Sequence, residues 1–203
     1  VVRNYHGHFS GVYSVALHPI LDLLVTGSRD CTAKLWDIRT KQPVQTFSGH
    51  RAAVNAVQVQ ELDPQLITAS QDSTIRLWDI VAGKSLCELT QHKKSVRALV
   101  LHPTEFAFAS ASTSSVKKWA FPDGKAVGNF CMKQSASNMQ EEIVNTLCLN
   151  QDGLMFAGGN AGEMRFWDWE SGAPVCELGT SLNGSGGSGD LHPIQPGSLE
   201  GER

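Results

Sequence analysis

Two sets of side chains in this 203-residue chain have the makings of nucleophilic chemistry. His8, Thr26 and Asp30 form one set, and His50, Thr68 and Asp72 form the other. An imidazole carries one donor and one acceptor nitrogen, so it can join a hydroxyl to a carboxylate, the arrangement that activates a hydroxyl for acyl transfer. A third set, His92 with Ser110, lacks the acid, because Ser114 stands at the Asp position in a loop one residue shorter. The histidines recur at intervals of 42 and 42. A catalytic centre is needed once, whereas a repeated set points to a role inside a repeated structural unit. No nucleophile-elbow G-x-S-x-G, P-loop or G-x-G-x-x-G accompanies these residues. The stretch 184–189 is Gly-rich but lacks the Lys and the following helix that would cradle a phosphate. Of the seven histidines, His6 lies close to His8, while His18, His102 and His192 each precede a proline and fit turns better than metal ligation. No catalytic, cofactor or metal site is expected.

The spacing also predicts the elements that hold these side chains. Gly7-His8, Gly49-His50 and Gln91-His92 open three units that close on Trp36-Asp37, Trp78-Asp79 and Trp119-Ala120. A fourth, weaker unit closes on Trp167-Asp168, with Ala157 and Ala161 in place of the polar residues. The tryptophans lie 42, 41 and 48 residues apart. A Gly-His to Trp-Asp unit of this period marks a β-propeller blade of four short strands. In the first unit the strands are expected at 12–17, 23–28, 32–37 and 43–47, because apolar residues alternate with period two between turn signals. The fold class is therefore all-β. Blades are assigned to 7–48, 49–90, 91–132 (degenerate turn) and 133–178 (degenerate, with an insertion). Residues 1–6 align with 43–48 and are expected to be the last strand of a preceding blade. A Gly/Ser-rich linker and tail, poor in large apolar residues, fills 179–203. The expected whole is an open arc of about four blades from a larger ring.

Composition narrows the function classes. Hydrophobic residues make up 41% of the chain, enough for a substantial core, and no apolar run approaches the ~18 residues of a membrane span. Net charge is −3, so no global basic field favours nucleic acid. Lys93, Lys94 and Arg97 make a local basic patch. A second basic series, Lys34, Arg76, Lys117 and Arg165, stands two residues before each Trp; its stems are expected along the sheet with the charged heads in water. Five cysteines, an odd number without C-x-x-C, fit reduced thiols in nucleus or cytosol.

The Gly-His to Trp-Asp repeat places the chain in the WD-repeat superfamily by resemblance. Further stretches narrow it. Tyr5-His6-Gly7-His8, Leu17-His18-Pro19, Trp36-Asp37-Ile38-Arg39-Thr40-Lys41, His92-Lys93-Lys94-Ser95-Val96-Arg97-Ala98, Phe121-Pro122-Asp123-Gly124, Trp167-Asp168-Trp169 and Gln195-Pro196-Gly197-Ser198-Leu199-Glu200 occur in this order. The series closely resembles the pleiotropic regulator family of WD-repeat proteins across essentially the whole chain. Two departures are the lost Gly-His before Ile143 and the insertion around 133–140.

The resemblance implies seven blades, a nuclear location, and a non-enzymatic spliceosomal scaffold that joins proteins of the NineTeen complex. It also implies that the blade histidine, a second-strand hydroxyl, the turn Asp and the third-strand Trp form one hydrogen-bonded chain. The matching residues are His8, Thr26, Asp30 and Trp36; His50, Thr68, Asp72 and Trp78; His92, Ser110 and Trp119; and Trp167 alone. It further implies two positions per blade facing the central mouth. One set is Tyr13, Asn55, Arg97 and Asn145; the other is Arg29, Gln71 and Thr113. Tyr13, Arg29 and Arg97 are the first candidates for partner contact, since Tyr and Arg are enriched at interface hot spots. Two other readings carry weight. Trp36-Asp37-Ile38-Arg39 resembles the element by which WD-repeat receptors engage a cullin–RING ligase adaptor, with Arg39 as the key contact, although Val81 and Glu170 stand at the equivalent places in other blades. Direct RNA contact through Lys93, Lys94 and Arg97 would show steep salt dependence.

Overall fold

The structure, a computed structural model, describes residues 3–40, 42–62, 65–113, 115–130, 143–160 and 162–178. The position of Ser114, that of Ala161, the insertion and the tail lie outside them.

The described residues form four antiparallel sheets of four strands, each built from consecutive segments. The first contains β1 (Val12–Leu17), β2 (Leu23–Ser28), β3 (Thr32–Asp37) and β4 (Pro43–Ser48). The second contains β5 (Val54–Val59), β6 (Leu66–Ser70), β7 (Ile75–Asp79) and β8 (Lys84–Leu89). The third contains β9 (Val96–Leu101), β10 (Ala107–Ser112), β11 (Ser115–Ala120) and β12 (Lys125–Phe130). The fourth contains β13 (Val144–Leu149), β14 (Leu154–Gly159), β15 (Met164–Asp168) and β16 (Pro174–Leu178). Each sheet packs on the next chiefly through its first strand: β1 on β5, β5 on β9, β9 on β13. These are consecutive propeller blades, with the first strands on the inside of the arc.

Three apolar cores lie between the blades. Val25, Leu35 and Phe47 of the first blade meet Val57, Leu66 and Trp78 of the second. Ile67, Leu77 and Leu89 of the second meet Leu99, Phe108 and Trp119 of the third. Val116 and Phe130 of the third meet Leu147, Met155, Trp167 and Trp169 of the fourth. This arrangement explains the strand patterns. β6 and β10, with a blade on either side, are buried at every residue, as near-continuous apolar or small-residue strands must be. On β1, Ala16 packs toward the second blade while Val15 and Leu17, on the other face, are exposed.

Residues 3–8 are not in a strand. Tyr5 instead packs edge-on against Trp36 at 5.7 Å and donates its hydroxyl to Ile38 O at 3.0 Å. Among the described residues no helix is long and apolar enough to cross a membrane. None of the four described cysteines is in a disulfide.

Candidate interaction face and the network beneath it

In the first blade His8 Nδ1 lies 2.8 Å from Asp30 Oδ2 and Nε2 lies 2.7 Å from Thr26 Oγ1. Trp36 Nε1 donates to the same hydroxyl at 2.8 Å. The second blade repeats this: His50 to Asp72 at 3.1 Å, His50 to Thr68 at 2.7 Å, and Trp78 to Thr68 at 2.8 Å. The proton order follows from the groups. The indole only donates, so the threonine oxygen accepts from it and gives its own proton to Nε2; Nδ1–H then donates to the carboxylate. A neutral imidazole thus satisfies every member. The hydroxyl that would serve as nucleophile is buried, and one of its lone pairs is taken by the indole. This arrangement ties the segment entering the first strand to the second strand, the third strand and the turn between them.

The third blade keeps part of the chain. His92 Nε2 meets Ser110 Oγ at 2.7 Å, Trp119 donates to Ser110 at 2.7 Å, and Ser115 Oγ stands 3.2 Å from His92 Nδ1. Ser115 matches Thr74, whose Oγ1 likewise stands 3.2 Å from His50 Nδ1, a neighbour of the histidine that sequence reasoning missed. In the fourth blade the buried Trp167 holds the matching tryptophan position.

The ionisations follow from this burial. Burial pulls the imidazole of His50 below its ordinary value, with Asp72 opposing. Burial and the Lys117 ammonium lower that of His92 to about 4. For Asp30 and Asp72 burial pushes upward, but the donated hydrogen bonds outweigh it. Thr32, His8 and the Phe9 N–H hold Asp30 well below the carboxylate range. Thr74 and the N–H of Arg51 and Thr74 hold Asp72 near about 2.

Antiparallel connectivity puts the β2–β3, β6–β7 and β10–β11 turns at the same end of the blades as the segments entering β1, β5 and β9. Backbone bonds tie them: Arg29 N to Gly11 O and Gln71 N to Ala53 O, both 2.9 Å. Buried Ser28, Ser70 and Ser112 add hydroxyl bonds to Ser10 O, Ala52 O and Lys94 O. Their 42-residue spacing was a visible signal.

At this end the innermost strands carry a bulge in every blade. The register skips Tyr13, Asn55, Arg97 and Asn145 in turn. A bulge leaves one residue outside the ladder and re-aims its side chain, which is why these residues leave the blade cores. Tyr13 is 54% exposed, and Arg29, Gln71 and Arg97 are exposed too. Two members also stitch blades together. Asn55 Nδ2 donates to Val96 O at 2.7 Å and Ser95 Oγ at 3.2 Å; Arg97 Nη1 donates to Asn145 Oδ1 at 2.9 Å. Lys93 is exposed and Lys94 half-buried. Arg39 lies at the opposite end, exposed, 3.5 Å from Asp37 and 3.7 Å from Asp22.

The basic series departs from expectation. Its heads do not simply lie in water. Lys34 meets Thr46, Arg76 meets Glu88, Lys117 meets Asn129 and Arg165 meets Glu177, at 2.6–3.1 Å. Each pair sits directly across from the outer strand, and Lys34 and Arg165 are buried. The acceptors recur at the repeat period, a signal visible only once the two strands are known to pair.

Comparison with known sequences agrees with this geometry. The profile described as "WD domain, G-beta repeat" matches residues 1–37, 41–79 and 83–120. The chain belongs to the WD-repeat family. Within that family it is similar to Pre-mRNA-splicing factor PRP46 of Eremothecium gossypii, 44% identical over 102 residues, which are 50% of this chain and 20% of the relative. Pleiotropic regulator 1 of Homo sapiens is 48% identical over 104 residues, 51% of this chain and 16% of the relative. Protein pleiotropic regulator PRL2 of Arabidopsis thaliana is 44% identical over 104 residues, 51% of this chain and 18% of the relative. The aligned part thus spans a fifth or less of these curated WD-repeat relatives.

Proposed function

We propose that this chain is part of a non-enzymatic WD-repeat scaffold of the spliceosome, acting in the nucleus and joining splicing proteins, those of the NineTeen complex among them. The observation that carries the reading is the similarity to proteins named as splicing factors and pleiotropic regulators. The geometry supplies the mechanism. Three interblade cores make the arc rigid, and a bulge in each blade presents one side chain outside the ladder. A rigid frame lowers the ordering cost of binding, and loops mounted on such a frame carry contact. Tyr13, Arg29 and Arg97 are the leading contacts, with Asn55 and Gln71 beside them. The adaptor reading through Arg39 draws no support from these relatives' names.

Affinity purification of the intact protein from nuclear extract tests the proposal. Co-purified NineTeen proteins with spliceosomal small nuclear RNAs are expected, and combined Tyr13→Ala, Arg29→Ala and Arg97→Ala substitutions should release partners without unfolding the blades. Recovery of a cullin adaptor without spliceosomal RNA, lost on Arg39→Ala, would overturn it.

A further inference from the structure

The chain's net charge of −3 is unevenly spread between the two ends of the blades. At the mouth end Arg29, Arg51, Lys93 and Arg97 are all exposed. Two carboxylates there are withdrawn. Asp30 and Asp72 are nearly buried and saturated by donors. Nearby Glu88, Glu163 and Glu177 are held in ion pairs with Arg76 and Arg165. At the opposite end exposed Asp22, Glu61, Asp123, Asp152 and Glu170 mix with exposed Arg39, Lys84 and Lys125.

A second feature stands beside these cations. Phe9 is 94% exposed. It follows the blade histidine, the position held by Arg51 and Lys93 in the next two blades, and both of those stay exposed although each has a blade on either side. Tyr13, half-exposed, lies in the same blade. The mouth end thus has an apolar corner in the first blade and separated cations leading across the second and third.

We infer that this face binds an extended acidic protein segment, with a bulky apolar residue seated at Phe9 and Tyr13 and spaced carboxylates meeting Arg29, Arg51, Lys93 and Arg97. The inference rests on the reading above that the mouth end faces partners, and it adds the chemistry of the partner and three residues, Phe9, Arg51 and Lys93. Arg97 is held ready: its Nη1 bond to Asn145 fixes the guanidinium, which suits it to forked recognition of a carboxylate. The spacing favours peptide over RNA. The cations are separated by neutral Asn55, Gln71 and Thr113, and the charged Asp30 and Asp72 lie under the first two loops, weakening the field for a phosphate at every nucleotide. Among the described residues the exposed aromatics at this end, Phe9 and Tyr13, lie in one blade, whereas single-stranded RNA sites place aromatic platforms under successive bases.

The test is fluorescence anisotropy on the intact protein with a labelled peptide of spaced glutamates ending in tryptophan. Its glutamine counterpart, its Trp→Ser counterpart and an oligouridylate of equal length serve as comparisons. The glutamate peptide should bind best, with affinity falling as salt rises, and Arg51→Glu with Lys93→Glu should weaken it by about tenfold or more. Phe9→Ser should erase the difference between the Trp and Ser peptides. Equal binding of the glutamine peptide, tighter binding of the RNA, or indifference to the charge reversal would each overturn the inference. The double variant is also purified from nuclear extract. Splicing partners retained without peptide binding would sink the inference alone. Their absence from the wild-type purification would sink the scaffold reading instead.

Discussion

A single hydroxyl in each blade decides whether the network closes. Thr68 is fully buried and serves both Trp78 and His50. Thr68→Val keeps the shape but strands a buried indole N–H and an imidazole nitrogen, for an expected cost of about 2–4 kcal/mol in urea unfolding. Ser115→Ala, touching only the more exposed side of His92, should cost about 1 kcal/mol or less. Acid should act through the histidines first. Burial holds His92 near about 4, against an ordinary 6.5, so the unfolded chain takes up the proton first. Its contribution is complete above pH 6.5 and is lost as pH falls from 6.5 to 4, on the order of 3 kcal/mol. His50 shifts in the same direction. The carboxylate contribution of Asp72 comes later, lost below 3.8 as pH falls toward about 2. Stability measured against pH should therefore show a histidine limb that flattens in His92→Gln; an unchanged limb would refute the assignment.

At the scale of strands and sheets, close approach governs the blade junctions. A Cβ on Gly27 would stand 2.7 Å from Ser14 Oγ, 2.8 Å from Val54 Cγ1 and 2.9 Å from Val57 Cγ1. Ala69 and Ala111, buried at the matching positions, fill their own junctions. Gly27→Ala should thus wedge the first two blades apart, costing about 1–3 kcal/mol in thermal melting; a neutral outcome would mean that this junction yields. The outer strands carry a bulge in every blade as well, skipping Val44, Leu86, Val127 and Val175. Such kinks spoil the edge as a template for pairing with another chain, so four exposed aliphatic residues sit there at low hazard.

Across the whole arc, one contact ties the last two blades in a way that the repeat does not supply. Trp169, 1% exposed, donates Nε1 to Glu105 at 2.7 Å, packs at a tilt against His102 at 4.8 Å and takes Lys118 Nζ over its ring at 4.3 Å. This latch fastens the fourth blade to the third through a hydrogen bond, a ring contact and a cation over the indole. Trp169→Ala should cost about 3–5 kcal/mol and raise hydrogen exchange in β13–β16 while β5–β8 stay protected. Uniform loss of protection would show that the blades unfold as one unit.

The repeat period, the four-strand unit and the residue types of the buried chain were all legible in the sequence, because each blade solves the same local problem with the same side chains. The strands of the first blade could be placed almost to the residue for that reason: turn chemistry and period-two alternation are local. Tertiary structure alone decided the rest. Ser115 at His92, the stitching of Asn55 to Val96 and of Arg97 to Asn145, and the cross-strand partners of Lys34, Arg76, Lys117 and Arg165 join residues whose neighbourhood depends on register. The two rings of bulges shift that register by one residue. The distribution of charge lay beyond composition too, since a summed charge of −3 says nothing about which carboxylates turn inward to a histidine and which remain in water.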